Sequence, residues 1–214
     1  MRDRPWTSDP AIEQFMKTYK MPAEPFIEKM MADHAVVEAA APSAGETAPD
    51  FVAEKLSSDG RASGQFVSLA DYRGKALALM FGSLTCPIYR GQTDRFNEIF
   101  DELQDRLAFL LIYTREAHPE DGWQLGINRE QDIVYNQPTT IEGRAAIARD
   151  CVQQRGLKMT VALDDIEDSI DKKYAGWPER LYLIDGTGTV RHRSGPGPFQ
   201  MDAIDDWYSA LKEI

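Results

Sequence analysis

Two cysteines in a chain of 214 residues are too few for a disulfide framework. Three histidines (His34, His118, His192), with no Cys-x-x-Cys or His-x-x-x-His pair, leave little to ligate a metal, so neither a metal nor a cofactor is expected. No apolar run approaches the roughly 20 residues of a membrane-spanning helix. The opening Met1-Arg2-Asp3-Arg4-Pro5-Trp6 has no apolar stretch behind its arginines, so no signal peptide is expected and a cytoplasmic location is the default. Positive charge is also scarce. With 24 Lys and Arg against 35 Asp and Glu the net charge is −11, which leaves no surplus of cations for a nucleic acid or an anionic membrane.

What remains is an ordinary globular composition, 43% hydrophobic and 28% charged. Residues 1–45 read as a helical extension and linker, with Ile12, Phe15, Met16 and Tyr19 at helical spacing and a second set at Phe26, Met30 and Val37. These helices are expected to dock on the core or on a second subunit, which makes a homodimer conceivable, and Ala39–Gly45 reads as a linker. Residues 46–214 form the expected main domain. Asp59-Gly60 is a hairpin signal before a weakly alternating Gln65–Leu69. Ala76–Phe81 and Leu107–Tyr113 are unbroken apolar runs of buried-strand length, and a helical pattern runs between them from Pro87: a right-handed βαβ unit. The stretch 114–140 exceeds the ~12–15 residues beyond which structureless loops are uncommon and tend to be functional. A helix at Ile141–Gln154, a strand at Met159–Leu163, a short helix at Ile166–Tyr174, strands at Arg180–Ile184 and Val190–Arg193 and a helix from Asp202 complete the pattern. This order predicts an α/β thioredoxin-like fold, a central mixed sheet flanked by helices.

Cys86 lies where the first buried strand ends and a helix begins, a position whose N–H groups and dipole favour a thiolate. Thr85 and Ser83 carry hydroxyls able to donate to its sulfur, and Pro87 suits the first helical turn. Against this stands the commonest fate of a lone cysteine, a buried structural side chain. The strand ending at Tyr113 delivers Arg115, Glu116 and His118 to the same sheet edge. An antiparallel strand at Arg180–Ile184 places Arg180 there too, as a cation for the thiolate, and His118 is a candidate proton donor or polar substrate contact. The bland alternatives are a surface ion pair for Arg180 and an idle loop position for His118. Cys151, inside a predicted helix, reads as a small core residue, with a resolving disulfide to Cys86 as the alternative.

Leu79–Pro87, Leu111–Trp123 with its Glu-Ala-His and Asp-Gly-Trp elements, Pro178–Ile184 and Ser194-Gly195-Pro196 together resemble the iodothyronine deiodinase family over about residues 47–213. Gly45–Phe51 also looks like the entry strand of peroxiredoxins. The resemblance implies that Cys86 stands where that family usually has selenocysteine, the atom that attacks iodine. It also implies active-site places for Glu116, His118 and Arg180, and a hormone pocket shaped by the loop after His118. Thr85 joins the catalytic set, and Ser83, Trp123 and Pro87 the substrate-binding one. Leu84 occupies the place of an auxiliary cysteine and Gln137-Pro138 that of a second histidine, and the N-terminal membrane anchor of animal members is expected to be missing, as in a soluble, microbial-type relative.

Three readings follow. The first is reductive deiodination of iodothyronines or related halogenated aromatics, with an external thiol such as dithiothreitol, glutathione or thioredoxin as reductant. The second is a one-cysteine thiol peroxidase reducing hydroperoxides. The third is a non-catalytic redox sensor or binding module. Partners are accordingly a small-molecule substrate and a thiol.

Overall fold

The structure is a computed structural model that describes residues 17, 32, 34–195 and 202–214. Seven strands form one sheet: β1 (Val52–Leu56), β2 (Ala62–Ser68), β3 (Leu77–Gly82), β4 (Ala108–Tyr113), β5 (Thr160–Leu163), β6 (Arg180–Ile184) and β7 (Val190–Arg193). Their order is β2-β1-β5-β4-β3-β6-β7. β3, β4 and β5 are parallel, and the other pairings are antiparallel. The helices are α1 (Pro87–Leu103), α2 (Gly126–Glu130), α3 (Ile141–Arg155), α4 (Ser169–Tyr174) and α5 (Ala203–Lys212). No helix among the described residues is long and apolar enough to cross a membrane.

Strand alternation divides the core in two. Ala78, Met80, Phe109, Leu111, Tyr113, Leu181 and Leu183 face one side, where α1, α3 and α5 supply Phe96, Ile99, Ala148, Cys151, Trp207 and Leu211. Leu77, Leu79, Phe81, Leu110, Ile112, Tyr182 and Ile184 face the other, packing on Phe51, Leu69, Ile170 and Tyr174. Both faces of the central strands are thus covered, which explains why β3 and β4 read as unbroken apolar runs. Gly82 ends β3 because a Cβ there would meet the Tyr89 ring at 2.2 Å, so its absence lets α1 seat directly on the strand end. α3 begins at Thr140, whose hydroxyl accepts from the Gly143 amide at 3.1 Å, and stops at Gly156 in the left-handed region.

The helices and strands predicted between Gln65 and the C-terminus are present, with shifted ends: the hairpin strand, for example, spans Ala62–Ser68 rather than Gln65–Leu69, whereas the expected entry strand at Gly45–Phe51 forms only a single bridge and the strand begins at Val52. The long stretch 114–140 contains α2, which periodicity does not reveal in five residues. The apolar residues Ile12, Phe15, Met16 and Tyr19, and Phe26 and Met30, that carry the N-terminal helical patterns lie outside the described residues, while residues 34–40 are helical. The expected linker is instead docked. Ala41 is buried, the Gly45 amide donates to the Val190 carbonyl at 2.8 Å, and Thr47 bridges Thr189.

Candidate active site

Cys86 is the N-cap residue of α1 and Pro87 opens its first turn. The amides of Ile88 and Tyr89 and the Arg90 guanidinium favour the thiolate, as a helix N-terminus should. Burial outweighs them. At 2% exposure, burial first and the nearby Glu179 second push the thiol up to about 12. The expectation of a lowered thiol pKa is therefore corrected: desolvation of the sulfur exceeds what the helix terminus supplies.

Thr85 and Ser83 turn away from the sulfur to hold the loop. Thr85 Oγ1 donates to Glu116 Oε2 at 2.6 Å, and the Thr85 amide donates to the same oxygen at 3.0 Å. The other Glu116 oxygen accepts from the Tyr113 hydroxyl at 2.5 Å, which in turn accepts from the Leu84 amide at 2.9 Å. Ser83 Oγ accepts from the Ala117 amide at 3.1 Å. Burial pushes the Glu116 carboxyl up, against the pull of its Thr85 and Tyr113 donors. Strands β3 and β4, parallel and in register, thereby clamp the cysteine loop to the segment that follows Tyr113.

His118 completes this cluster. Its amide donates to Thr85 Oγ1 at 3.0 Å, and its Nδ1 lies 3.1 Å from the Trp123 carbonyl, with the two rings edge to face at 4.5 Å. Burial lowers its pKa to about 3, so the ring is neutral at pH 7. The carbonyl can only accept, which assigns the proton to Nδ1 and leaves a lone pair on Nε2. His118 is thus a hydrogen-bond acceptor, not the proton donor considered from sequence.

Arg180 does not reach the thiol. Its Cα lies opposite Phe81 at the expected edge, yet it shares strand parity with Tyr182 and Ile184 and so projects to the face away from Cys86. There Nε donates to the Ala175 carbonyl at 3.1 Å and Nη1 to the Ser194 carbonyl at 2.8 Å, while Nη2 pairs with Glu38. A pocket bounded by both His118 and Arg180 is excluded by this placement.

The cation that does act on Cys86 is Arg90, one helical turn on. It donates to the Leu84 carbonyl at 2.6 Å and to Asn128 and Gln131 at 2.7 Å each. Asn128 donates to the Thr85 carbonyl at 2.8 Å. Four residues around Cys86, Tyr113, Arg90, Asn128 and Glu179, thus have no site role in the sequence reading. Spacing four residues after Cys86 was the available signal for Arg90, and the parity of β6 for Glu179. Asn128 carried none. The long connection is tied down as well, with Gln137 Oε1 accepting from the Glu116 amide at 2.9 Å and Asp121 accepting from the Gln137 amide at 2.8 Å.

The iodothyronine deiodinase family model matches residues 27–209. This chain belongs to the iodothyronine deiodinase family. It is 32% identical over 149 residues to thyroxine 5-deiodinase of Bos taurus, covering 68% of this chain and 48% of that protein. The match to the Homo sapiens thyroxine 5-deiodinase is 31% over 141 residues, covering 65% and 45%. The chain spans about half the length of the curated relatives it matches. Among solved structures, the thioredoxin domain of a thiol-disulfide oxidoreductase from Bacteroides vulgatus superposes with a TM-score of 0.54 at 17% identity, covering 81% of this chain and 98% of that one. The reduced 2-Cys peroxiredoxin of Plasmodium vivax gives 0.54 at 18% identity, covering 80% and 96%. The fold is thioredoxin-like, and the deiodinase family is one of oxidoreductases. Within it, this chain presents both Cys86 and Cys151 as free, buried thiols.

Proposed function

We propose that this protein is a thiol-dependent reductive deiodinase of iodothyronines or related halogenated aromatics, working through Cys86. The observation that carries the reading is the neutral His118, an acceptor beside the Trp123 ring, hydrogen-bonded through its backbone to the loop that ends in Cys86. An aromatic ring bearing a hydroxyl fits that pairing of an apolar wall with one polar acceptor. The Cys86 thiolate takes iodine from carbon: an S–I bond forms, the C–I bond breaks, sulfur is oxidised and the ring carbon gains a proton. An external thiol then attacks the sulfenyl iodide, iodide leaves, and a second thiol reduces the mixed disulfide. Glutathione or thioredoxin in the cytoplasm suits this role. The substrate and the thiol are the only partners required, and no metal or cofactor enters the cycle.

Iodide release from thyroxine with dithiothreitol tests the reading, with Cys86→Ala as control. Release that survives in the variant rejects it. The peroxidase reading uses the same thiolate and is favoured instead if hydrogen peroxide, not thyroxine, is turned over. A sensor turns over neither.

A further inference from the structure

Leu84 and Thr85 are fully buried, and their carbonyls precede α1, whose first backbone bond runs from the Arg90 amide to the Cys86 carbonyl at 3.0 Å. The helix therefore offers neither carbonyl an amide, and a buried acceptor without a donor is costly. Two side chains supply what the backbone does not. Arg90 reaches back toward the helix start, and its Nη1 donates to the Leu84 carbonyl at 2.6 Å. Asn128 Nδ2 donates to the Thr85 carbonyl at 2.8 Å. The same two side chains are joined, with Arg90 Nη2 donating to Asn128 Oδ1 and to Gln131 Oε1 at 2.7 Å each. Arg90 is buried and so is Asn128. All three oxygens that accept from the guanidinium are neutral, so direction rather than opposite charge holds it in place.

Asn128 and Gln131 belong to the connection 114–140, whose opening carries His118 and Trp123. That connection is fastened to the cysteine loop twice. Before the His118–Trp123 pair, Thr85 Oγ1 donates to Glu116 and accepts from the His118 amide. After it, the Thr85 carbonyl is held by Asn128 and the Leu84 carbonyl by Arg90. We propose that Arg90 and Asn128 are positioning residues: their clip fixes the spacing between the Cys86 loop and the His118–Trp123 wall, and so selects by size what reaches the sulfur. The inference rests on Cys86 as the reacting group proposed above, though not on the choice of substrate. Cys86 is 2% exposed, so a substrate reaches it only where this spacing allows. A guanidinium suits the task because its planar fork spans the Leu84 carbonyl and α2 together, whereas a lysine is a single point of charge.

Two maleimides on the full chain, one N-methyl and one N-pyrenyl, share one chemistry and differ in size. Each rate is read at the Cys86 peptide by mass spectrometry and divided by the rate with free N-acetylcysteine. In the wild type the pyrenyl reagent is the slower by this measure. In Asn128→Ala and in Arg90→Met the ratio of pyrenyl to methyl rates rises about tenfold, the size of one lost buried hydrogen bond. Arg90→Lys, which keeps the charge and loses the fork, shows the same rise. The double variant rises no further than either single one, because one clip has been broken. Leu69→Ala, in the core on the other face of the sheet, lowers the melting temperature and leaves the ratio unchanged. Should Arg90→Met melt too low to assay, Asn128→Ala, which keeps the guanidinium, carries the test. A wild type that does not discriminate overturns the proposal, as does an unchanged ratio in Asn128→Ala or a wild-type ratio in Arg90→Lys. So does an equal rise in Leu69→Ala, which would mark general loosening. No iodothyronine is used, so loss of the deiodinase reading and loss of this one are distinct results.

Discussion

Two glutamates flank the edge where β3 ends and β6 begins, and the sheet separates them. Glu38, from the helical segment 34–40, sits between Arg180 and Arg193, at 2.7 Å from the latter. Glu179, on the other face, has the Gln92 amide beside it and one oxygen without a hydrogen-bond partner. The first is a tie: opposite charges satisfy each other and fasten the N-terminal segment to the sheet. The second is a carboxyl held in its neutral form by burial, which costs stability and is retained beside the one reactive sulfur. A polar cluster whose charges cancel ties the fold together, whereas a lone buried carboxyl costs stability and opposes ionisation of the cysteine.

The comparison is broken most directly at the sulfur. Cys86→Ser is expected to lower turnover at least 1000-fold, with the fold kept, since the hydroxyl is a far weaker nucleophile; single-turnover product release measures it. Arg180→Met is expected to cost about 3 kcal/mol in urea unfolding, by leaving the Ala175 and Ser194 carbonyls and Glu38 without their cation. The same variant should change Cys86 alkylation less than about twofold, because Arg180 faces the other way. A tenfold change there would erase the two-sided picture.

Acidity sharpens the contrast. A carboxyl raised on folding contributes stability below its unfolded pKa and loses it as pH rises through its folded one. For Glu179 that loss runs from the ordinary glutamate value of 4.5 up to about 8. The melting temperature of Glu179→Gln relative to wild type should therefore climb by a few degrees between about pH 5 and 8, as differential scanning calorimetry can record. His118 runs the opposite way. Its pKa is lowered from 6.5 to about 3, so its contribution is present above pH 6.5 and is lost on acidification. The smallest effect belongs to Cys151→Ala, about 1 kcal/mol from lost packing with no change in turnover. A disulfide between Cys86 and Cys151 after mild oxidation, seen by peptide mass spectrometry, would contradict that expectation.

Much of the scaffold was legible because its signals are local. Apolar runs of strand length, Pro87 at a helix start and Gly60 in a hairpin turn each act over a few residues. The placement of Glu116 and His118 beside the Cys86 loop followed from parallel strands delivering their ends to one edge. Arg180 shows where this reasoning stops short. Its backbone is at the predicted edge, but one step of strand alternation decides the face, and that step exchanged its role with Glu179. Asn128 was out of reach because it belongs to α2, five residues with no period to detect. The docking of residues 41–47 against β7 was likewise hidden, since an Ala-Pro-Ser-Ala-Gly stretch has the composition of a free linker.

The sequence by itself determined the order of elements, the family, and a cysteine at the junction of a buried strand and a helix, because each depends on residue type and short spacing. Only the tertiary structure decided the state of that cysteine. Its protonation, the neutrality of His118 and the raised carboxyl of Glu179 all arise from desolvation and from which side chains the packed sheet buries together.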